Sequence, residues 1–387
     1  MEKKRKIILI ACDSYRTLLG FRGKLMESLA VNNDVTVFTP FIQEDNVRNT
    51  LKNMGIGIYE NDLDGSNVSI LSDLAYIFRL YKVIKQVKPD VFFPYTFKPV
   101  IYGSLVANFC KVQSIVPMLT GLGYNFLNDG KKNKLISEIT RFLLKLSLKG
   151  RKKIRLILQN NDDYNTLVGD GILSKKNPAF VVNGSGVDLS YYDYSEPEIK
   201  NQSFLMIARL ITAKGIREYY EAAKLILNDY PDVTFKLIGP RDHNIDAIEE
   251  ELYQQIITQQ VIKYVGEVQD VRSYIKSASV VVLPSYYGEG VPRCLLEAMA
   301  MGRAIITCNS VGCKETVNLS EGQQTGFLVP VKNSVTLAEK MRHFIDYPED
   351  TITFGKNGRA FAKEKFDVKK INSQMIEILE GRSIAVN

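Results

Sequence analysis

The sequence predicts an α/β protein built from two doubly wound domains, and three observations carry that expectation. The chain has 387 residues, more than one ordinary core accommodates and suited to two domains of about 150 to 200 residues each. Its apolar runs are short and continuous rather than alternating, as in strands buried on both faces. Longer helical patterns separate most of these runs, which is the arrangement of a parallel sheet with crossover helices.

Taken in order, the first half offers "KIILIAC" (6–12), "DVTVFTP" (34–40), "DVFFPY" (90–95), "SIVPML" (114–119), "RLILQN" (155–160) and "AFVVNG" (179–184) as strands. The second half offers "SFLMIARL" (203–210), "VTFKLIG" (233–239), "VIKYVG" (261–266), "SVVVLPS" (279–285), "AIITC" (304–308) and "GFLVPV" (326–331). Between the two sets, glycines, Pro197 and mixed polar residues interrupt the pattern over 183–202 and mark a join. The expected division is an N-terminal domain over 1–190, a C-terminal domain over 191–365 and a last helix over 366–387 that turns back toward the first domain.

Composition narrows the chemistry. The chain is 45% hydrophobic and 24% charged, as in a folded, soluble protein. No apolar run reaches the roughly 18 residues of a spanning helix, and "KKRKIILIAC" is too short for a signal peptide. Five cysteines (12, 110, 294, 308 and 313) form no CxxC pair, and His243 and His343 are the only histidines. A zinc site, a disulfide framework and a hydrolase triad are all hard to build from that set.

The net charge of +7 is uneven: Lys and Arg exceed Asp and Glu by ten in residues 1–190 and fall three short of them in 191–387. Segment 131–155, "KKNKLISEITRFLLKLSLKGRKKIR", has ten basic residues and one acid around a helical apolar pattern. Such a helix lies on anionic lipid, packs on the core with a solvated basic face, or meets nucleic acid.

The stretch "GEGVPRCLLEAMAMG" (288–302) follows a strand directly, where open α/β sheets bind ligands. Pro292 suits a first helical turn and Gly302 a stop, so a helix is expected over 292–301 with free N–H groups near Gly290 and Val291. Glu289 precedes the helix and Glu297 lies on it, eight positions later. An acid on so apolar a helix needs donors, from local backbone, from an arginine or from the hydroxyls of a ligand.

"EGVPRCLLEAM" resembles the E-x7-E motif of the retaining family 4 glycosyltransferases of GT-B fold. "IARLITAKGIREYYEAA" (207–223), "GEVQDVRSYIKSASVVVLPS" (266–285), "VGCKETV" (311–317) and "TGFLVPV" (325–331) stand around it in that family's order. In the first domain, "FKPVIYGSLVAN" (97–108) and "TGLGYNF" (120–126) resemble bacterial members that build surface polysaccharides or lipid-linked oligosaccharides.

The resemblance implies two Rossmann-like domains facing a cleft that holds the active site. It implies that Arg209 and Lys214 hold a donor diphosphate, that Glu297 accepts from the nucleotide ribose and Glu289 from the transferred sugar, and that backbone at Gly290 and Val291 completes the cradle. Transfer would retain the donor configuration by front-face attack, with no metal and no cofactor. Glu289, Arg209 and Lys214 are then the catalytic candidates. The DxD of Asp62 and Asp64 reads as a turn rather than a metal site, and no GxGxxG follows the first strand.

The chain departs from the wider family in lacking a first-domain histidine after the fourth strand; Tyr95, Thr96 and Lys98 occupy that region. It also opens with "CDSYRTLLGFRG" where many members have a glycine pair. Arg22, Lys98, Thr120, Gly121 and Gly123 are the acceptor-side candidates, and Lys98 or Tyr95 stands where the histidine is absent.

The expected activity is transfer of a sugar, such as an N-acetylhexosamine, from a UDP-linked donor to a lipid-diphosphate sugar. The expected partner surface is anionic membrane through 131–155, on the cytoplasmic face, with no nucleic acid. An epimerase on the same fold and a non-catalytic nucleotide-sugar-binding protein are the rival readings.

Overall fold

The computed structural model describes residues 5–63, 70–126, 134–149, 154–242 and 246–382. The chain forms two compact units, Met1–Ser185 with Lys369–Asn387, and Gly186–Val368.

In the first unit, β1 (Ile7–Ala11) is the apolar run "IILIA" and is buried almost throughout. It is followed by α1 (Arg16–Asn32), β2 (Asp34–Pro40), α2 (Asp45–Asn53), β3 (Gly57–Asn61), α3 (Ile70–Val87) and β4 (Val91–Pro94). A π-helical turn over Pro99–Gly103 leads into α4 (Ser104–Phe109), then β5 (Ser114–Ile115), α5 (Lys134–Ser147), β6 (Leu156–Leu158), α6 (Asn161–Gly169) and β7 (Ala179–Val181). The five-stranded sheet runs β3-β2-β1-β4-β5, with every pairing parallel. Parallel bridges Ile115–Ile154 and Met118–Ile157 continue it into the pair β6-β7.

β3 is the one strand absent from the sequence expectation. It is an edge strand, half-buried over most of its length, so "GIYEN" lacks the continuous apolar run that marked the others.

The second unit contains β8 (Ser203–Ile207), α7 (Ile216–Leu227), β9 (Thr234–Ile238), α8 (Glu250–Thr258), β10 (Lys263–Gly266), α9 (Arg272–Lys276) and β11 (Val280–Leu283). Then come α10 (Arg293–Ala300), β12 (Ala304–Cys308), β13 (Gly326–Val329), α11 (Ser334–Asp346) and α12 (Pro348–Lys365). Its sheet order, β10-β9-β8-β11-β12-β13, is all parallel and is the order of a Rossmann domain. α10 is one residue shorter at each end than expected: Pro292 is its extended N-cap rather than its first helical residue.

α13 (Val368–Glu380) closes the chain and belongs to the first unit, where Ile371, Met375, Ile378 and Leu379 join the core formed with β1, β2 and α1. No described helix is long and apolar enough to cross a membrane. Within segment 131–155, residues 131–133 and 150–153 lie outside the described residues, as do Asp64 and His243. Asp62 pairs with Arg79.

Candidate active site

In a sheet of this order the two chain directions diverge between β8 and β11, and the crevice beyond their carboxyl ends is where ligands bind. The loop after β8 carries Arg209 and a 3-10 turn over Thr212–Lys214; the loop after β11 carries Ser285 to Glu289. The two loops are joined by the Tyr286 amide, which donates to the Ala213 carbonyl at 2.8 Å.

Two glycines permit close backbone approach around the loop after β11, one from the loop after β8 and one from the loop after β12. Gly215 has φ +80°, and a Cβ there would lie 2.3 Å from the Pro284 carbonyl oxygen. Gly312 has φ +76°, and its Cβ would lie 2.3 Å from the Gly290 carbonyl oxygen. Any other residue at either place would be strained and would push the facing backbone away.

Lys214 and Glu289 face each other directly. Lys214 Nζ donates to Glu289 Oε1, and Ser285 Oγ donates to the same oxygen at 2.9 Å. Burial opposes the lysine's charge, but the adjoining Glu289 carboxylate outweighs it and raises the Lys214 pKa above the ordinary value. The ammonium also lies 5.2 Å from the centre of the Tyr287 ring. Arg209 is more open and pairs with Asp242 at 3.2 Å.

Gly290 and Val291 lie buried just before the helix. Glu297, 8% exposed, has its donors within the chain: the Tyr192 hydroxyl and Arg293 Nε each reach Oε1 at 2.7 Å. An arginine, one of the three sources of donors that the sequence left open, is therefore present. The arginine on the preceding turn and a distant tyrosine meet half of the need.

The first-unit candidates divide. Lys98 pairs with Asp73 at 3.0 Å, and the Tyr102 hydroxyl donates to the other oxygen of Asp73 at 2.8 Å. Thr120, Gly121 and Gly123 are half-buried in the loop that follows the Met118 bridge. Arg22 is only 2% exposed, with Nη2 3.0 Å from Met118 Sδ and the guanidinium 5.5 Å from the centre of the Tyr95 ring. Tyr95 is 1% exposed and shares a 2.9 Å hydrogen bond with Thr17. Both side chains are buried within the first unit.

Residues 201–346 match the family described as glycosyl transferases group 1, and residues 8–161 match the glycosyl transferase 4-like family. The chain belongs to the group 1, family 4-like glycosyltransferases. This glycosyltransferase is 26% identical over 355 residues to the N,N'-diacetylbacillosaminyl-diphospho-undecaprenol α-1,3-N-acetylgalactosaminyltransferase of Campylobacter jejuni, covering 88% of this chain and 90% of that one. It is 26% identical to the UDP-Gal:α-D-GlcNAc-diphosphoundecaprenol α-1,3-galactosyltransferase of Escherichia coli, covering 69% of each. Its fold is that of the sucrose-phosphate synthase of Thermosynechococcus elongatus, at TM-score 0.77, 19% identity and coverage of 98% and 99%. The Anabaena HepE structure with UDP and glucose superposes at TM-score 0.74, 19% identity and coverage of 97% and 100%.

Sequence reasoning placed Arg209, Lys214, Glu289 and Glu297 in one site, and the structure gathers them around the ends of β8 and β11. It missed Ser285, Tyr192, Arg293 and Asp242. Ser285 closes the apolar run of β11, which is a readable signal; Tyr192 lies 105 positions from the glutamate it touches, so no spacing reveals it.

Proposed function

We propose that this glycosyltransferase moves a sugar, such as an N-acetylhexosamine, from a UDP-linked donor to a lipid-diphosphate-linked sugar, with retention at the anomeric carbon. The observation that carries this reading is the grouping of two cations and two carboxylates at the switch point of the second unit. Arg209 and Lys214 meet the donor diphosphate, whose charge grows as the nucleotide departs. Lys214 passes from Glu289 to the phosphate on donor binding, which frees Glu289 Oε1 for a sugar hydroxyl. Glu297 accepts from the ribose.

Front-face attack fits better than double displacement. A glycosidase-like route needs two carboxylates at the scissile bond, whereas Glu297 is assigned to the nucleotide and Glu289 carries a lysine and a serine on one oxygen. The leaving phosphate takes the acceptor proton, and the positive charge comes from side chains rather than a metal. Both relatives above are named as α-transferases acting on diphospho-undecaprenol sugars; retention from an α-linked donor gives an α product.

Exposed apolar residues on two helices of the first unit support a lipid-linked acceptor. On α3, Leu71, Leu74 and Phe78 are exposed at helical spacing, and on α5 Ile139, Phe142 and Leu146 repeat that spacing. α3 and α5 flank α4 over one core, and Lys82, Lys85 and Lys145 lie on their outer turns. Apolar faces rimmed by lysine suit an anionic lipid surface. Replacing Phe78 and Phe142 by serine should release the protein from anionic liposomes without changing turnover on a water-soluble acceptor; unchanged flotation with liposomes would remove this surface.

The deciding experiment is a donor screen with UDP-, GDP- and ADP-sugars, with and without a lipid-diphosphate sugar and with and without EDTA. Acceptor-dependent nucleotide release with a mass gain of one sugar, resistant to EDTA, is expected. In the same assay Glu289→Ala should cost about 100-fold in turnover with nucleotide affinity nearly intact, and Glu297→Ala should weaken nucleotide binding. Donor conversion without acceptor, or full activity in both variants, would overturn the assignment.

A further inference from the structure

The Glu297 carboxylate is occupied on one side only. Both of its donors, the Tyr192 hydroxyl and Arg293 Nε, converge on Oε1 at 2.7 Å. An oxygen of a carboxylate offers about two acceptor positions, so Oε1 is full. No donor among the described residues reaches Oε2, although the residue is 8% exposed. A fixed carboxylate with one saturated and one open oxygen has two acceptor positions left, side by side, which matches two adjacent hydroxyls.

Tyr192 is gripped more firmly than a surface contact requires. It is 6% exposed and packs in the second unit's core. Its amide donates to the Asp188 carbonyl at 2.9 Å. Arg359 Nη1 donates to the Tyr192 carbonyl at 2.8 Å and also to the Ala300 carbonyl, which ties this segment to the end of the helix that bears Glu297. Burial first, and then the Glu297 charge, push the Tyr192 pKa well above the ordinary tyrosine value, so its hydroxyl remains a donor throughout the working pH range. Arg293 alone, on a long and partly exposed side chain, would leave the carboxylate free to rotate.

We propose that Tyr192 is a positioning residue for nucleotide binding: with Arg293 it saturates Glu297 Oε1 and fixes the carboxylate, so that Oε2 accepts the vicinal hydroxyls of the nucleotide ribose. This rests on the nucleotide-sugar reading above. Tyr192 touches no substrate atom; it acts through Glu297.

The test is calorimetric titration of UDP and of 2′,3′-dideoxy-UDP into wild type, Glu297→Ala and Tyr192→Phe, with thermal denaturation of each. Tyr192→Phe keeps the ring and removes only the hydroxyl. UDP should bind it about fivefold to tenfold more weakly, the loss expected for one hydrogen bond to a charged group, while the dideoxy analogue binds as in wild type. The preference for ribose then shrinks, KM for the donor rises and kcat at saturation holds. Equal weakening of both nucleotides, or of neither, would overturn the role of Tyr192 while Glu297→Ala still abolishes the preference. If Glu297→Ala leaves the preference unchanged, the ribose assignment itself falls, and this proposal with it.

Discussion

At the ends of β1 and β4 the first unit packs its own side chains into the crevice; at the ends of β8 and β11 the second unit assembles charge there. The strand orders around the two crevices are equivalent, three strands one way and then a reversal. In the first, Cys12, Tyr95 and Arg22 are buried against one another's neighbours, and burial pushes the Cys12 thiol up to about 11, away from any nucleophilic role. In the second, Lys214, Ser285 and Glu289 meet within hydrogen-bonding reach beside a half-exposed Arg209. Repeating a topology repeats a crevice, and the loops determine which side chains line it.

That contrast is sharpest at the buried ion pairs. Lys214 and Glu289 have side chains only 15% and 12% exposed. Lys214→Met strands the carboxylate and should lower stability by about 3 to 5 kcal/mol, read as a large drop in Tm, along with loss of transfer. The double variant Lys214→Met/Glu289→Leu should recover most of that stability and none of the activity. Were the single variant as stable as wild type, the pair would not be coupled and the second crevice would resemble the first. A further variant is Arg22→Met, which removes a buried guanidinium packed on Met118 and Tyr95 and should lower Tm. Turnover measured below that Tm separates packing from function: unchanged turnover leaves the first crevice as packing, and a loss of turnover would show that it is more.

The same contrast explains what the sequence discloses. Central strands such as β1 and β11 are continuous apolar runs, legible without a structure, whereas β3 pairs along one edge only and its half-buried residues carry no such mark. Glu289 and Glu297 are legible because loop and helix are contiguous, so eight positions of spacing preserve their relation. The burial of Arg22 was not legible because charge in a sequence implies exposure, and only three-dimensional packing reveals that Met118 and Tyr95 lie against it. Tyr192 and Asp242 come to the site from distant segments, where sequence separation hides spatial adjacency.

The first unit is assembled from two stretches of chain, with α13 supplying Ile371, Met375, Ile378 and Leu379 to its core. Chain leaves for the second unit and comes back at adjacent points, where the Val187 amide donates to the Phe366 carbonyl at 2.8 Å and the Val368 amide donates to the Val187 carbonyl at 3.1 Å. On a ribosome, the residues that seal the first unit emerge after the whole second unit has been synthesised. Until then the first-unit core residues that pack against α13 lack that cover.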